Sequence, residues 1–144
     1  MFVSNIGGET SGDGYISKVT LEGQILDSLW VGGLDDPKGL LIREGKLFVT
    51  DNKRIVEMDI ERGKISREYS IEEAGMLNDI AADAEGNLFI SDTRKNSIFK
   101  LDTLGIISEW MNSQELQSPN GLLFSKNELW VAAWGNGETG GDIL

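Results

Sequence analysis

The chain has 144 residues, 40% of them hydrophobic, with 18 glycines and neither cysteine nor histidine; that suits one packed domain or a part of one and is too apolar for a disordered tail. Its 24 acidic and 13 basic residues leave a net charge of −11, which gives none of the counterion release that drives nucleic-acid binding and sets the chain against anionic membrane surfaces. Disulfides and thiolate metal sites are excluded, no run of 18 apolar residues offers a membrane-spanning helix, and no basic, apolar leader pattern is visible.

In chain order, the sequence opens on MFVSN at residues 1–5 and then runs through a glycine-rich loop, IGGETSGDG, at 6–14. The stretch YISKVTLEGQILDSLWV (15–31) holds two apolar runs around a polar turn. Next comes GLLIREGKLFVTD (39–51), again two apolar runs around a turn of glycine and charge, as a β-hairpin requires. RIVEMDI (54–60) alternates with a period of two, and KISREYSI (64–71) follows after the turn ERGK. The same four runs return as DIAADAEGNLFISD (79–92), SIFKLDT (97–103) and IISEWM (106–111). A further hairpin, GLLFSKNELWVAA (121–133), ends in a second glycine-rich loop. Between the two central units, SIEEAGML (70–77) offers at most a turn or two of helix.

The anchors LFVTD, LFISD and LWVAA begin at residues 47, 88 and 129, a period of 41 residues. A period of this size with four short strands per unit predicts the blades of an all-β propeller. The expected units are an incomplete blade at 1–38, complete blades at 39–78 and 79–120, and the start of another at 121–144. Four-stranded antiparallel blades need about four copies to close a ring. The chain is therefore read as about half of a six-bladed propeller, because the G-E-T-x-G-D pattern returns after three blades. Open blade faces at both ends predict self-association.

The first strand of each hairpin is expected to lie innermost and line the central channel. Its starts are DPKGL (36–40), LNDIA (77–81) and SPNGL (118–122), which place Lys38, Asn78 and Asn120 at one repeat position. Both asparagines also suit ordinary Asx-turns. Lys38 suits an anionic substrate group or a salt bridge, and Asp79 suits either the channel or loop amides. Asp51 and Asp92 end second strands, and Ala133 replaces them in the last copy. GNGETG (135–140) matches a dinucleotide-loop pattern but lacks the following helix that gives the pattern its mechanism. Glu138 and Asp142 are loop acids near the expected rim. Trp30, Trp110, Trp130 and Trp134 are expected to pack between blades.

The repeated unit resembles NHL-type repeats, and the pair LNDIAADAEGNLFISDT and SPNGLLFSKNELWVAAWG resembles the senescence marker protein/gluconolactonase superfamily. That resemblance implies a six-bladed propeller that hydrolyses sugar lactones or related esters, with the acids at Asp51 and Asp92 fixing blade turns as in NHL-like repeats. It implies one divalent cation, often calcium, at the channel mouth. Its ligand positions fall on Asn78 and Asn120, with Lys38 in place of a third. The remaining glutamate and aspartate belong to inner strands outside residues 1–144. Lys38 and Asp79 are the candidates for substrate contact. The alternative is a non-catalytic NHL-like propeller that binds a ligand or protein at the same face.

Overall fold

A computed structural model describes residues 1–8, 10–137 and 140–144. The strands are β1 (Phe2–Asn5), β2 (Gly14–Val19), β3 (Ile25–Leu34), β4 (Pro37–Arg43), β5 (Lys46–Asp51), β6 (Arg54–Asp59) and β7 (Lys64–Ser70). They continue as β8 (Leu77–Ala82), β9 (Leu88–Asp92), β10 (Ser97–Leu101), β11 (Ile107–Asn112), β12 (Pro119–Ser125) and β13 (Glu128–Ala133). Strands β4 to β7 and β8 to β11 form two four-stranded sheets in sequence order. Strands β1 to β3 form a three-stranded sheet and β12 with β13 a two-stranded one. Every pairing is antiparallel. The all-β propeller architecture expected from the repeat is the architecture of the molecule.

The core lies between the sheets. Leu47, Val49, Val56 and Met58 of the second sheet pack on Ile16, Val31 and Leu34 of the first. Ile55 on the opposite face packs with Leu77, Ile80, Leu88, Ile90 and Phe99 of the third. Phe89 and Ile98 then meet Leu116 and Val131. The middle strands are thus covered on both faces. This is why LFVTD and LFISD read as unbroken apolar runs rather than as an alternation. Trp30 joins this packing through Phe2, at 4.6 Å between ring centroids, and Trp110 through Phe89 at 5.1 Å. Three of the four differ from expectation in burial: Trp110 is 49% exposed despite that contact, and Trp130 and Trp134 are 46% and 66% exposed, with no further blade among the described residues over the outer face of β13.

The segment 70–77 forms turns, not helix. One element escapes the sequence reading, a 3₁₀ turn at Gln114–Leu116 that Ser113 caps by accepting from the Glu115 N–H. It carries Leu116 into the last inter-sheet core. The β4–β5 turn has positive φ at Glu44 and Gly45 (50° and 75°), the mirror-image geometry that suits strand twist. Among the described residues no helix is long and apolar enough to cross a membrane.

Candidate channel-mouth site

In each complete sheet the first strand is the inner one, and the inner strands of successive sheets are neighbours: β4 lies beside β8, and β8 beside β12. Together they form one wall. Lys38, Asn78 and Asn120 stand one residue into these strands, at the same end of the wall.

Buried carboxylates hold that end in place. Asp51 accepts from the backbone N–H groups of Asp35 and Asp36, at 2.9 and 2.6 Å, and from Arg54 at 2.9 Å. Asp92 accepts from the N–H groups of Gly75, Met76, Arg94 and Lys95 at 2.6 to 3.1 Å. Each acid closes the entry to its own inner strand, which is the turn-fixing role expected of it. The loop at 6–14 reaches the same end: the Ser11 hydroxyl and the Gly12 N–H both donate to Asp35 Oδ1. The Ser11 hydrogen bond holds the Asp35 carboxyl below the usual carboxylate range, against the effect of burial and with help from Gly12 and Arg54.

A second device repeats beside it, and the sequence reading missed it. The hydroxyl one residue before each of these strand-end positions crosses to the next inner strand. Ser4 donates to Lys38 O at 2.8 Å, Thr50 to Asn78 O, and Ser91 to Asn120 O at 2.6 Å. Thr50 and Ser91 also accept from their own inner strands, from Gly39 N and Asp79 N, both at 2.9 Å. The signal was present as the Ser or Thr of FVSN, FVTD and FISD. The fourth copy has Ala132 there and carries no such hydroxyl.

These clips fix the backbone under the asparagines, and Thr93 fixes a side chain. The Thr93 hydroxyl donates to Pro119 O at 2.7 Å, so its oxygen is left to accept. The Asn78 side chain must then present its NH₂ to Thr93, which it does at 3.2 Å. Asn78 Oδ1 faces away with no partner among the described residues, and the Asn120 side chain makes no hydrogen bond there either. The chain reaches Asn120 through two consecutive non-glycine residues in the left-handed region, Gln117 (φ 46°) and Ser118 (φ 63°). Such geometry costs about 1 kcal/mol or more per residue and concentrates at functional sites. The entries to β4 and β8 have no such residue. Gln117 Oε1 is buried and without a hydrogen-bond partner.

Asp79 stands where β4 and β12 have Gly39 and Gly121. Its Oδ2 accepts from Leu122 N at 2.7 Å, so it ties β8 to β12. A Cβ at Gly39 would sit 3.0 Å from Asp79 Oδ1 and 2.6 Å from Asn78 O, so the glycine is what lets β4 approach this carboxylate. The Lys38 ammonium is ion-paired with Asp36 and also donates to its carbonyl at 3.3 Å. Among the described residues no three acidic side chains gather into a metal-holding group. Asp142 contributes its carbonyl to Ala133 N, as the start of a strand beside β13. Glu138 lies outside the described residues.

Inner strands side by side and antiparallel blades packed face to face define a part of a β-propeller. Solved structures place it further. The chain resembles a streptogramin B lyase structure (TM-score 0.65, 20% identity, covering 81% of this chain and 40% of that one). It resembles regucalcin, a calcium-binding protein from Agrobacterium tumefaciens, with TM-score 0.70 and 15% identity over 99% of this chain and 55% of that one. It also resembles a gluconolactonase from Xanthomonas campestris, with TM-score 0.62 and 17% identity over 92% and 43%. At these identities the likeness establishes the fold, and the chain spans 40%, 55% and 43% of the length of these three structures. No family model and no curated protein matches the sequence.

Proposed function

We propose that the chain forms part of the channel-mouth site of a metal-dependent hydrolase acting on sugar lactones or related esters. The observation that carries this reading is the Asn78–Thr93–Pro119 relay. It orients the Asn78 amide so that Oδ1 is left unpaired, and it anchors the strand start that presents Asn120. The two left-handed residues before Pro119 and the orphaned Gln117 oxygen add to it. The calcium-binding and gluconolactonase structures with the same fold support the choice of chemistry.

Amide oxygens suit a hard cation such as calcium, which takes about six to eight oxygens. Asn78 and Asn120 would supply two of these and no charge. The other oxygens, and the carboxylate acting as general base, would come from blades beyond these three. A divalent cation bound there supplies polarisation of the substrate carbonyl and a lowered pKa for bound water. This chain's own part is to hold two neutral oxygens and to offer Asp79 Oδ1 to a substrate hydroxyl. Lys38 would meet an anionic group only on leaving Asp36.

The test is calcium titration by calorimetry on a propeller that contains this chain within a complete ring. Asn120→Ala is expected to weaken binding about tenfold or more and to lower lactonase activity, with the melting temperature unchanged. Calcium binding that both Asn78→Ala and Asn120→Ala leave untouched would remove the reading. A non-catalytic NHL-like propeller is the second reading, and the Lys38–Asp36 ion pair favours it, because the third wall position then offers no oxygen. It predicts ligand capture at this face without calcium.

A further inference from the structure

A cavity of about 430 Å³ opens between the two complete blades at the end away from the asparagines. Its position follows from register: Arg43 pairs with Lys46 at the far end of the β4–β5 hairpin, while Pro37 pairs with Asp51 at the mouth. The volume falls in the range of small-molecule sites. We propose that this inter-blade cavity binds a small organic carboxylate with an apolar body.

Glu57 is buried at the cavity wall with every oxygen engaged: Lys46 at 2.5 Å and Ser66 at 3.0 Å donate to Oε1, and the Tyr69 hydroxyl donates to Oε2 at 3.0 Å. That carboxylate is closed to ligands. Glu44 is paired with Arg43 Nε at 3.3 Å, and Asp102 Oδ1 is held by the Leu104 and Ile106 N–H groups. The donors tell the opposite story. Arg67 lies over the Tyr69 ring at 4.8 Å and has no ion-pair partner among the described residues. The cation–π contact leaves the N–H fork unspent, and such a fork can grip a carboxylate with two parallel bonds. Arg43 spends Nη1 on Asp83 O at 3.2 Å and keeps Nη2.

Two glycines on the neighbouring blade make room for these forks. A Cβ at Gly86 would stand 2.8 Å from Arg43 Nη2, and one at Gly105 would stand 3.3 Å from Arg67 Nη2. Phe48, Leu88 and Leu101 line the same cavity and would take the apolar body of the ligand. Glu85 also lines the cavity, with its side chain against that of Asp83, and it sets the sign of a control.

The experiment uses the 144-residue chain labelled with ¹⁵N and ¹³C-methyl leucine, titrated with benzoate and separately with benzamide. Benzoate is expected to shift the Arg67 Nε–H resonance and the Leu88 and Leu101 methyls together and saturably, and neutral benzamide to leave the Arg67 signal in place. Arg67→Gln should weaken benzoate binding about tenfold, the scale of one charge-assisted bond. Arg67→Lys should fall between the two, and Glu85→Gln should tighten binding by removing a negative charge. The proposal is overturned by equal responses to benzoate and benzamide, by an affinity that Arg67→Gln and Glu85→Gln both leave unchanged, or by the absence of any saturable shift in the millimolar range.

Discussion

Asp92 is wholly buried and accepts four backbone N–H groups, so its removal strands donors that have no other partner. Asp92→Ala is expected to cost about 3 kcal/mol, the scale of leaving such groups unsatisfied. Urea denaturation checks this; a loss within about 0.5 kcal/mol, the scale of an ordinary surface substitution, would refute the turn-fixing role. Glu57 makes a prediction in pH. Burial alone would raise its pKa, but the bonds from Lys46, Ser66 and Tyr69 outweigh burial and hold it below the usual glutamate range. A lowered folded pKa means stability that is present above the unfolded value of about 4.3 and lost as pH falls through the folded value. Unfolding free energy should therefore drop on acidification below about pH 4.3, and Glu57→Gln should flatten that drop. Parallel pH profiles for the two proteins would count against it. At this scale the strand-end acids were legible in the sequence because they repeat. Thr93 was not, since its partner is a carbonyl 26 residues on, in another sheet. Nor did Lys38 announce its partner: Asp36 is two residues away, but only the bend into β4 brings the pair together.

Strands show the repeat most fully in their hydroxyl clips. Thr50 and Ser91 each accept from their own inner strand and donate to the next, so each joins two blades through one oxygen. Ser91→Ala and Thr50→Val should each cost about 1 kcal/mol. The sharper readout is amide hydrogen exchange: Asp79 N–H should exchange faster in Ser91→Ala, and Gly39 N–H in Thr50→Val. Unchanged exchange at both amides would show that the clips carry no load. Nearly all strands were legible, because a covered strand leaves an apolar run and its turns leave glycine, asparagine and charge. The β12–β13 turn shows how far that signal bends. Lys126 and Asn127 take positive φ, 51° and 67°, without any glycine. The 3₁₀ turn left no periodic trace because it is three residues long. The candidate site was legible as two asparagines at one repeat position. Its orientation was not, since a repeat gives position along a strand and only a relay such as Thr93 decides which amide atom faces out.

The whole molecule ends on two open blade faces. On one, Leu123, Trp130 and Ile143 are 63%, 46% and 72% exposed, and on the other Leu26 and Leu29 are each 62% exposed. Inside the chain the repeat position of Trp130 is covered: Phe89 there is 4% exposed under the next blade. Strand β1 adds a free edge, because among the described residues no inner strand pairs with it as β4 pairs with β5, and such an edge invites pairing. Against these stands the net charge of −11, which makes copies of the chain repel. The two forces answer differently to salt. Screening shortens the reach of the repulsion to about 8 Å at physiological ionic strength and to about 3 Å at 1 M, and it leaves burial of the apolar faces in place. We propose that the isolated chain self-associates through these faces and that association strengthens as salt is added. Sedimentation equilibrium should show the apparent mass rising with both protein and salt concentration. Trp130→Ser combined with Leu123→Ser should shift the association constant about tenfold toward monomer or further, since each large apolar side chain is worth about 1.5–3 kcal/mol when fully buried. Association that weakens with salt would point instead to ion pairs between copies, and a cooperative monomer at high concentration in 1 M salt would refute the open-face account altogether.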